Sequence, residues 1–194
     1  MSQTNVLFWG NNQHSLLSPL PNKTFPRPSQ ASIPYQVVDL AASEKHIAFV
    51  TQDGSLYTYG LNLDGRLGIG GKPDARFSIS NPAKVKLSAP VLKVKCGFSH
   101  TCVQLINQEL YAWGLGDYGA LGTGEFKSRG TPGKVQVKGK ISNFSCGAMH
   151  SGFIDSEGNI FTCGSNEYGE LGVNRPEKIA TPILVSFSQK AKQI

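Results

Sequence analysis

The chain has 194 residues, a formal net charge of +6 and 22 glycines, with 39% hydrophobic and only 16% charged residues. This composition is typical of a turn-rich β-protein, and it excludes a disordered chain, which would be richer in charge. No run approaches the roughly 18 apolar residues of a membrane span, and the N-terminal segment shows no signal-peptide pattern. We therefore expect an intracellular protein, cytoplasmic or nuclear, that does not bind a membrane.

Landmark residues recur along the chain at a period of about 50 to 54 residues, which is in the range of known repeat proteins. Each group begins with a histidine, continues at a constant spacing with a glycine that ends a strand, and finishes with a G-x-L-G hairpin. Such a period with strand-like segments is typical of arrays in which each unit packs against its neighbours. We therefore expect the functional surface to be shared by several units. The landmark histidines are His46, His100 and His150, and the landmark glycines are Gly60, Gly114 and Gly164.

The repeat divides the chain into units that each begin at a proline, which precedes the landmark histidine at a constant spacing. Each complete unit has the pattern of four strands, which is the composition of a propeller blade. The predicted fold is therefore all-β, a partial or short β-propeller of about four blade-like, four-stranded repeats in a single repeat domain over residues 1–194. The predicted boundaries are a partial unit at 1–27, complete units at 28–81, 82–131 and 132–181, and a partial closing unit at 182–194.

The two ends of the chain are predicted to carry strands without partners. Asn5 to Gly10 has the pattern of the last strand of a unit, and Pro182 to Phe187 has that of a first strand. Pairing of such strands within one blade removes exposed sheet edges. The ends are therefore expected to complete one blade within the chain, or to complete a larger ring by self-association as a homodimer. The first hairpin departs from the pattern, because Ser15-Leu16-Leu17-Ser18 replaces G-x-L-G.

One loop is longer than its equivalents in the other units. The segment from Ile69 to Asn81 carries four extra residues and includes Lys72, Asp74 and Arg76. Loops that project from a rigid scaffold often carry recognition residues, so these three residues are candidates for partner binding. The alternative interpretation is a tolerated surface insertion.

The recurring histidines, aromatic residues and cysteines are interpreted as structural. Equivalent positions in a ring of units diverge, so the histidines are not expected to form a catalytic or metal site. Trp9, Tyr59 and Trp113 recur one unit apart and are expected to fill the space between units. The four cysteines show no C-x-x-C spacing, so no zinc site is expected, and we interpret them as reduced, structural thiols consistent with an intracellular compartment. The sequence therefore predicts no catalytic residue, no metal and no cofactor.

Basic residues concentrate in two stretches that contain no acidic residue. We predict that they form a basic band along adjacent outer strands, which binds an acidic partner such as chromatin, a GTPase face or a nucleic-acid backbone. The alternative is that solvated lysines at sheet edges prevent aggregation. Base-specific recognition is not expected, because no aromatic residues interleave with the basic ones. The candidate binding residues are Lys84, Lys86, Lys93 and Lys95 in the second unit and Lys134, Lys138 and Lys140 in the third.

These units resemble the repeats of the regulator of chromosome condensation family. The resemblance covers nearly the whole chain and is closest at Cys96–Thr101, Leu110–Gly114 and Gly119–Gly124. It implies a seven-bladed β-propeller whose founding member is a nucleotide-exchange factor for the small GTPase Ran and binds chromatin, while many relatives are scaffolds. The function that it implies here is a non-hydrolytic interaction protein that binds and regulates a Ran-like small GTPase, of the exchange-factor type. The alternative is a scaffold or chromatin-binding module without exchange activity.

Overall fold

The computed structural model describes residues 6–12, 24–31, 33–175 and 177–194. Asn5 and the irregular segment Ser15–Ser18 lie outside the described residues. The part of the chain that the structure describes contains no membrane-spanning helix. Its strands, in chain order, are β1 (Leu7–Asn11), β2 (Thr24–Gln30), β3 (Val37–Ala42), β4 (His46–Thr51), β5 (Leu56–Asn62), β6 (Phe77–Lys84), β7 (Val91–Cys96), β8 (His100–Leu105), β9 (Leu110–Gly114), β10 (Arg129–Lys134), β11 (Ile141–Cys146), β12 (His150–Asp155), β13 (Ile160–Ser165) and β14 (Lys178–Val185).

The strands form antiparallel sheets in which each strand pairs with the next one along the chain. Within the described residues there is one two-stranded sheet and there are three four-stranded sheets. We call them blade 1 (β1–β2), blade 2 (β3–β6), blade 3 (β7–β10) and blade 4 (β11–β14). β7 packs against β3 and β4, and β11 packs against β7 and β8, so the first strand of each blade faces the preceding blade. This arrangement is a partial β-propeller, as the sequence predicts.

The blades begin one strand later than the units predicted from the sequence. Pro28, Pro82 and Pro132 lie in β2, β6 and β10, which are the last strands of their blades. Pro182 lies in β14, which pairs with β13, so residues 182–194 do not open with a first strand. The predicted unit boundaries are therefore wrong as boundaries between sheets. The reason is that the short connection 85–90 links two blades, whereas the longer loop 63–76 links two paired strands of one blade.

The two ends do not complete one blade within the described part of the chain. β1 pairs with β2 and β14 pairs with β13. The C-terminal segment instead repeats the start of a blade. The Ala191 N–H donates to the Gly158 carbonyl at 3.0 Å, as the Val91 N–H donates to the Gly54 carbonyl at 2.8 Å. Residues 191–194 therefore occupy the register of a first strand beside blade 4.

The recurring histidines and glycines are partners across neighbouring strands. His46 lies opposite Gly60, His100 opposite Gly114 and His150 opposite Gly164. Gly114 has a φ of 111°, and a Cβ atom there would overlap the Ser99 carbonyl oxygen. The position therefore requires glycine, both for its backbone conformation and for the space that its neighbour occupies.

The hydrophobic core lies between the blades. Every residue of β4 and β8, the second strands of blades 2 and 3, is buried. Between blades 2 and 3 the core includes Val50, Val94 and Trp113, and between blades 3 and 4 it includes Phe144 and Phe153. The blades are thus held together by apolar packing along the seams, and the strand connections are left free at the two faces.

Candidate partner-binding surfaces

A chain of hydrogen bonds crosses the seam between blades 2 and 3. Ser43 Oγ lies 2.7 Å from His46 Nδ1, and His46 Nε2 lies 2.8 Å from Thr101 Oγ1. The Thr101 hydroxyl donates to the Arg66 carbonyl at 2.9 Å, so it must accept from His46 Nε2–H. Burial, aided by the charges of Arg66 and His100, lowers the pKa of His46 to about 3. His46 is therefore neutral, with Nδ1 accepting from Ser43.

The next seam repeats this chain of bonds. His100 Nε2 lies 2.9 Å from Ser151 Oγ, which donates to the Ala120 carbonyl at 2.8 Å. The ring of His150 forms no hydrogen bond with the described residues and is partly exposed. His46 and His100 thus bond across two different seams, and the described residues contain no cluster of three or more potential metal ligands.

The aromatic landmark residues differ in burial. Trp113 is fully buried against Gly68, and its Nε1 donates to the Arg66 carbonyl at 3.0 Å. Tyr59 is also buried, and burial raises its pKa to about 12. Trp9 is 63% exposed, so the prediction that it fills space between units is wrong. The reason is that no described blade packs against blade 1 on that side.

The cysteines are free thiols placed along the seams. Burial raises the pKa of Cys96 and of Cys163, so these thiols stay protonated at neutral pH. Cys163 Sγ lies 3.8 Å from the Ala120 carbonyl, at the position where Trp113 contacts the Arg66 carbonyl one blade earlier. These cysteines occupy packing positions of the repeat.

The fold places lysines of the predicted basic band on strands at opposite edges of the blades. Lys84 and Lys134 end the outer strands β6 and β10, but Lys93 and Lys95 lie on β7, the first strand of blade 3. The first and last strands of a four-stranded sheet lie about 14 Å apart. A single band along outer strands is therefore wrong for Lys93 and Lys95, because the sequence pattern did not show which strand begins each sheet.

The strand connections form two faces. The hairpin face carries the tight turns between second and third strands and the connections between blades. The loop face carries the turns between first and second strands and the long loops between third and fourth strands. The hairpin face comprises residues 52–55, 85–90, 106–109, 135–140 and 156–159, and the loop face comprises 43–45, 63–76, 97–99, 115–128, 147–149 and 166–175.

The hairpin face carries two exposed lysines of the predicted band together with acidic residues. Lys138 and Lys140 are exposed in the connection between blades 3 and 4 and form no ion pair with the described residues. Asp53, on the same face, accepts hydrogen bonds from Thr51 and Ser55, and these bonds lower its pKa to about 2. Its carboxylate is thus engaged within its own turn.

The long loop with four extra residues lies on the loop face. Lys72, Asp74 and Arg76 are all exposed there. The Gly70 N–H donates to the Gly130 carbonyl of blade 3 at 2.8 Å, which fixes the start of the loop to the neighbouring blade. The three candidate residues therefore project from an anchored base.

Exposed aromatic side chains on the loop face were missed in the sequence analysis. Tyr118, Phe126 and Tyr168 are 44%, 49% and 84% exposed. Lys178 Nζ lies 4.9 Å from the centre of the Phe126 ring, within the range of a cation–π contact. Tyr118 and Tyr168 follow an acidic residue and precede glycine at equivalent positions of the repeat, and this pattern could have identified them.

A family model places the chain among known repeat proteins. The model described as the regulator of chromosome condensation (RCC1) repeat matches residues 53–104, 107–154 and 157–194, which is most of the chain. The chain belongs to the RCC1 repeat family. A second model of this repeat matches residues 91–120 within blade 3.

Individual RCC1-repeat proteins match parts of this chain. It is 35% identical over 86 residues to the RCC2 homologue of Xenopus laevis, which covers 44% of the chain and 16% of the relative. It is 39% identical over 97 residues to the human X-linked retinitis pigmentosa GTPase regulator, which covers 48% of the chain and 9% of the relative. The chain spans less than a quarter of the length of the curated relatives that it matches.

The solved structure of Prp20p from Saccharomyces cerevisiae, a protein characterised for its binding to Gsp1p and histones, has the same fold. It superimposes with a TM-score of 0.82 at 21% sequence identity. The superposition covers 95% of this chain and 47% of Prp20p.

Proposed function

We propose that this chain binds and regulates a Ran-like small GTPase through its loop face, as a nucleotide-exchange factor does. Membership of the RCC1 repeat family supports the proposal. Further support comes from two similar proteins, one named as a GTPase regulator and one characterised for binding Gsp1p.

The exposed aromatic residues of the loop face are the observation that carries this proposal. Tyr118, Phe126 and Tyr168 project from the long loops of blades 3 and 4. Tyrosine and tryptophan dominate the binding energy of protein interfaces, because they bury a large area and retain a polar group. Their spacing along two adjacent blades gives a partner two neighbouring contact points on one face.

Exchange by such a surface requires no acid, base or metal from this chain. The loops bind the GTPase more tightly when its nucleotide is absent. By thermodynamic linkage, the bound loops then weaken nucleotide affinity by the same factor. The protein thus converts contact energy into weaker binding of GDP.

Release of labelled GDP from purified GTPases tests the proposal. We expect the chain to accelerate release from a Ran-class GTPase, and the double variant Tyr118→Ala/Tyr168→Ala to reduce this acceleration about tenfold or more. Phe187→Ala is the matched control, because Phe187 is 63% exposed but lies beyond β14, away from the loop face. An absence of acceleration in the Ran, Rab and Rho classes would contradict the exchange function. Full activity of the double variant would contradict the assignment of this function to the aromatic residues of the loop face.

A second candidate function is a scaffold that binds chromatin without exchange, in a nuclear or cytoplasmic protein. The unpaired Lys138 and Lys140 of the hairpin face favour it, because lysines that contact phosphates release bound counterions. We expect Lys138→Glu/Lys140→Glu to weaken nucleosome binding and to flatten its dependence on salt. The control is Lys72→Glu on the opposite face, and equal binding by both variants would contradict this function.

A further inference from the structure

A groove of about 580 Å³ opens at the outer rim between blades 2 and 3, and we call it the rim groove. Ile69, Leu87 and Pro132 supply apolar lining. Lys84 and Lys86 stand on one wall, at the end of blade 2, and Tyr111 of blade 3 stands on the other. Its volume falls within the range of roughly 300–1,000 Å³ that is typical of ligand sites.

At the equivalent position between blades 3 and 4, the corresponding side chain is hydrogen-bonded. Gln136 takes the place of Lys86 in the next repeat and bonds to the long loop of its own blade. The backbone N–H of Gln136 donates to the Gly122 carbonyl at 2.8 Å, and its Nε2 donates to the Thr123 carbonyl at 2.9 Å. Lys86 forms no side-chain hydrogen bond or ion pair with the described residues. Lys86 thus keeps its ammonium group free at the rim groove, whereas Gln136 is tied to the loop of blade 3.

Lys84 also forms no ion pair with the described residues, unlike its equivalent. Lys134, at the same position of the next repeat, lies 2.5 Å from Glu109, and this contact lowers the pKa of Glu109 and raises that of Lys134. In blade 2 the position of Glu109 is taken by Ser55. Within the described residues, Lys84 therefore has no carboxylate partner.

We propose that the rim groove binds a short, extended peptide segment of a partner protein, with acidic residues next to a large apolar side chain. The two free ammonium groups complement the carboxylates of the peptide. The apolar lining buries its hydrophobic side chain, which a lone anion or a nucleic-acid backbone would leave unused. The rim groove borders the loop face at Ile69 but is lined by none of Tyr118, Phe126 and Tyr168, so its occupant is tested separately from the proposed GTPase contact.

Pools of fluorescein-labelled octapeptides test the chemistry of the partner, with the full chain titrated by fluorescence anisotropy. One pool places two Asp or Glu residues before Leu or Phe, a second replaces the acids by Lys, and a third replaces the apolar residue by Gly or Ser. We expect the first pool to bind about tenfold more tightly than the other two. If the third pool binds as tightly as the first, binding depends on charge attraction alone and not on the apolar side chain. If the second pool binds as tightly as the first, the lysines do not contribute to recognition. Either result, or no binding at all, would overturn the proposal.

Two variants copied from the chain itself locate the binding site. Lys86→Gln removes one of the two ammonium groups and introduces the residue found at the equivalent position, and we expect it to weaken binding of the first pool about tenfold. Ser55→Glu supplies the carboxylate that pairs with the equivalent lysine, and we expect a loss of about threefold. Lys72→Gln is the control, because Lys72 is exposed outside the groove. Equal effects of Lys86→Gln and Lys72→Gln would overturn the assignment, and an unchanged melting temperature confirms that each variant is folded.

Discussion

The buried seams between the blades repeat the same hydrogen bonds, whereas the exposed rims of those seams differ in sequence. In both seams a histidine bonds to a hydroxyl group, which in turn bonds to a carbonyl of the preceding blade. At the rims, Lys86 replaces Gln136 and Ser55 replaces Glu109. The repeat is therefore kept where buried polar groups must be satisfied, and it varies where solvent can satisfy them. We infer that the seams build the scaffold and that the rims and loops carry partner selection.

The largest effect is expected at a seam glycine. Gly114→Ala forces a side chain into a backbone conformation with a φ of 111° and makes its Cβ overlap the Ser99 carbonyl oxygen. We expect the free energy of unfolding to fall by about 3 kcal/mol or more. Chemical denaturation of the purified variant measures this loss.

Gly10 supplies the control for this substitution. It stands at the same repeat position with a φ of 105°, but no atom lies within 4 Å of its Cβ position. Gly10→Ala should therefore cost only the conformational part, about 1–2 kcal/mol. Equal losses for the two variants would show that the contact with Ser99 is unimportant.

A smaller effect is expected when the hydroxyl of a seam is removed. Thr101→Val keeps the shape of the side chain but leaves the buried His46 Nε2–H without an acceptor. We expect a loss of about 2 kcal/mol in the free energy of unfolding, since an unsatisfied buried donor costs about 1–3 kcal/mol. Thr131→Val, at an exposed site on β10, should change stability by less than about 0.5 kcal/mol. A loss at Thr101 no larger than that at Thr131 would contradict the importance of this bond.

The pH dependence of stability should reveal the neutral seam histidine. The pKa of His46 is lowered from 6.5 to about 3 in the folded chain, so below pH 6.5 the unfolded chain takes up a proton that the folded chain excludes. Its contribution to stability is therefore complete above pH 6.5 and is lost as the pH falls toward 3. The slope reaches at most about 1.4 kcal/mol per pH unit. Between pH 6.5 and 4.5, the free energy of unfolding of His46→Gln should fall less steeply with decreasing pH than that of the wild-type chain, by up to this slope. Equal slopes for the two proteins would contradict the neutral state of His46.

The period of the repeat predicted the architecture but not the membership of the sheets. The constant spacing between His46 and Gly60, and between their equivalents, identified real pairs of partner residues, because hairpin pairing is local in sequence. Pro82 was assigned to the wrong sheet, because the connection between blades is shorter than the loop within a blade. The prediction that Trp9 is buried was also wrong, because its burial depends on a neighbouring blade that the repeat pattern alone does not supply.

The candidate binding surfaces were only partly visible in the sequence. Lys84 and Lys86 were identified from their charge, but the groove between them and Tyr111 depends on the packing of two blades. Alignment of the units could have shown that Gln136 and Glu109 differ from their equivalents. It could not have shown that Gln136 is hydrogen-bonded while Lys86 is free, because that requires the positions of the Gly122 and Thr123 carbonyls.

Transplanting the rim groove tests the division between seams and rims most directly. The double variant Glu109→Ser/Gln136→Lys removes the carboxylate that pairs with Lys134 and adds a second ammonium group at the rim between blades 3 and 4. Isothermal titration calorimetry with a peptide from the acidic and apolar pool should then show two sites per chain instead of one, while the melting temperature stays within about 3 °C. A stoichiometry that remains at one, or a chain that loses its cooperative unfolding, would contradict the account.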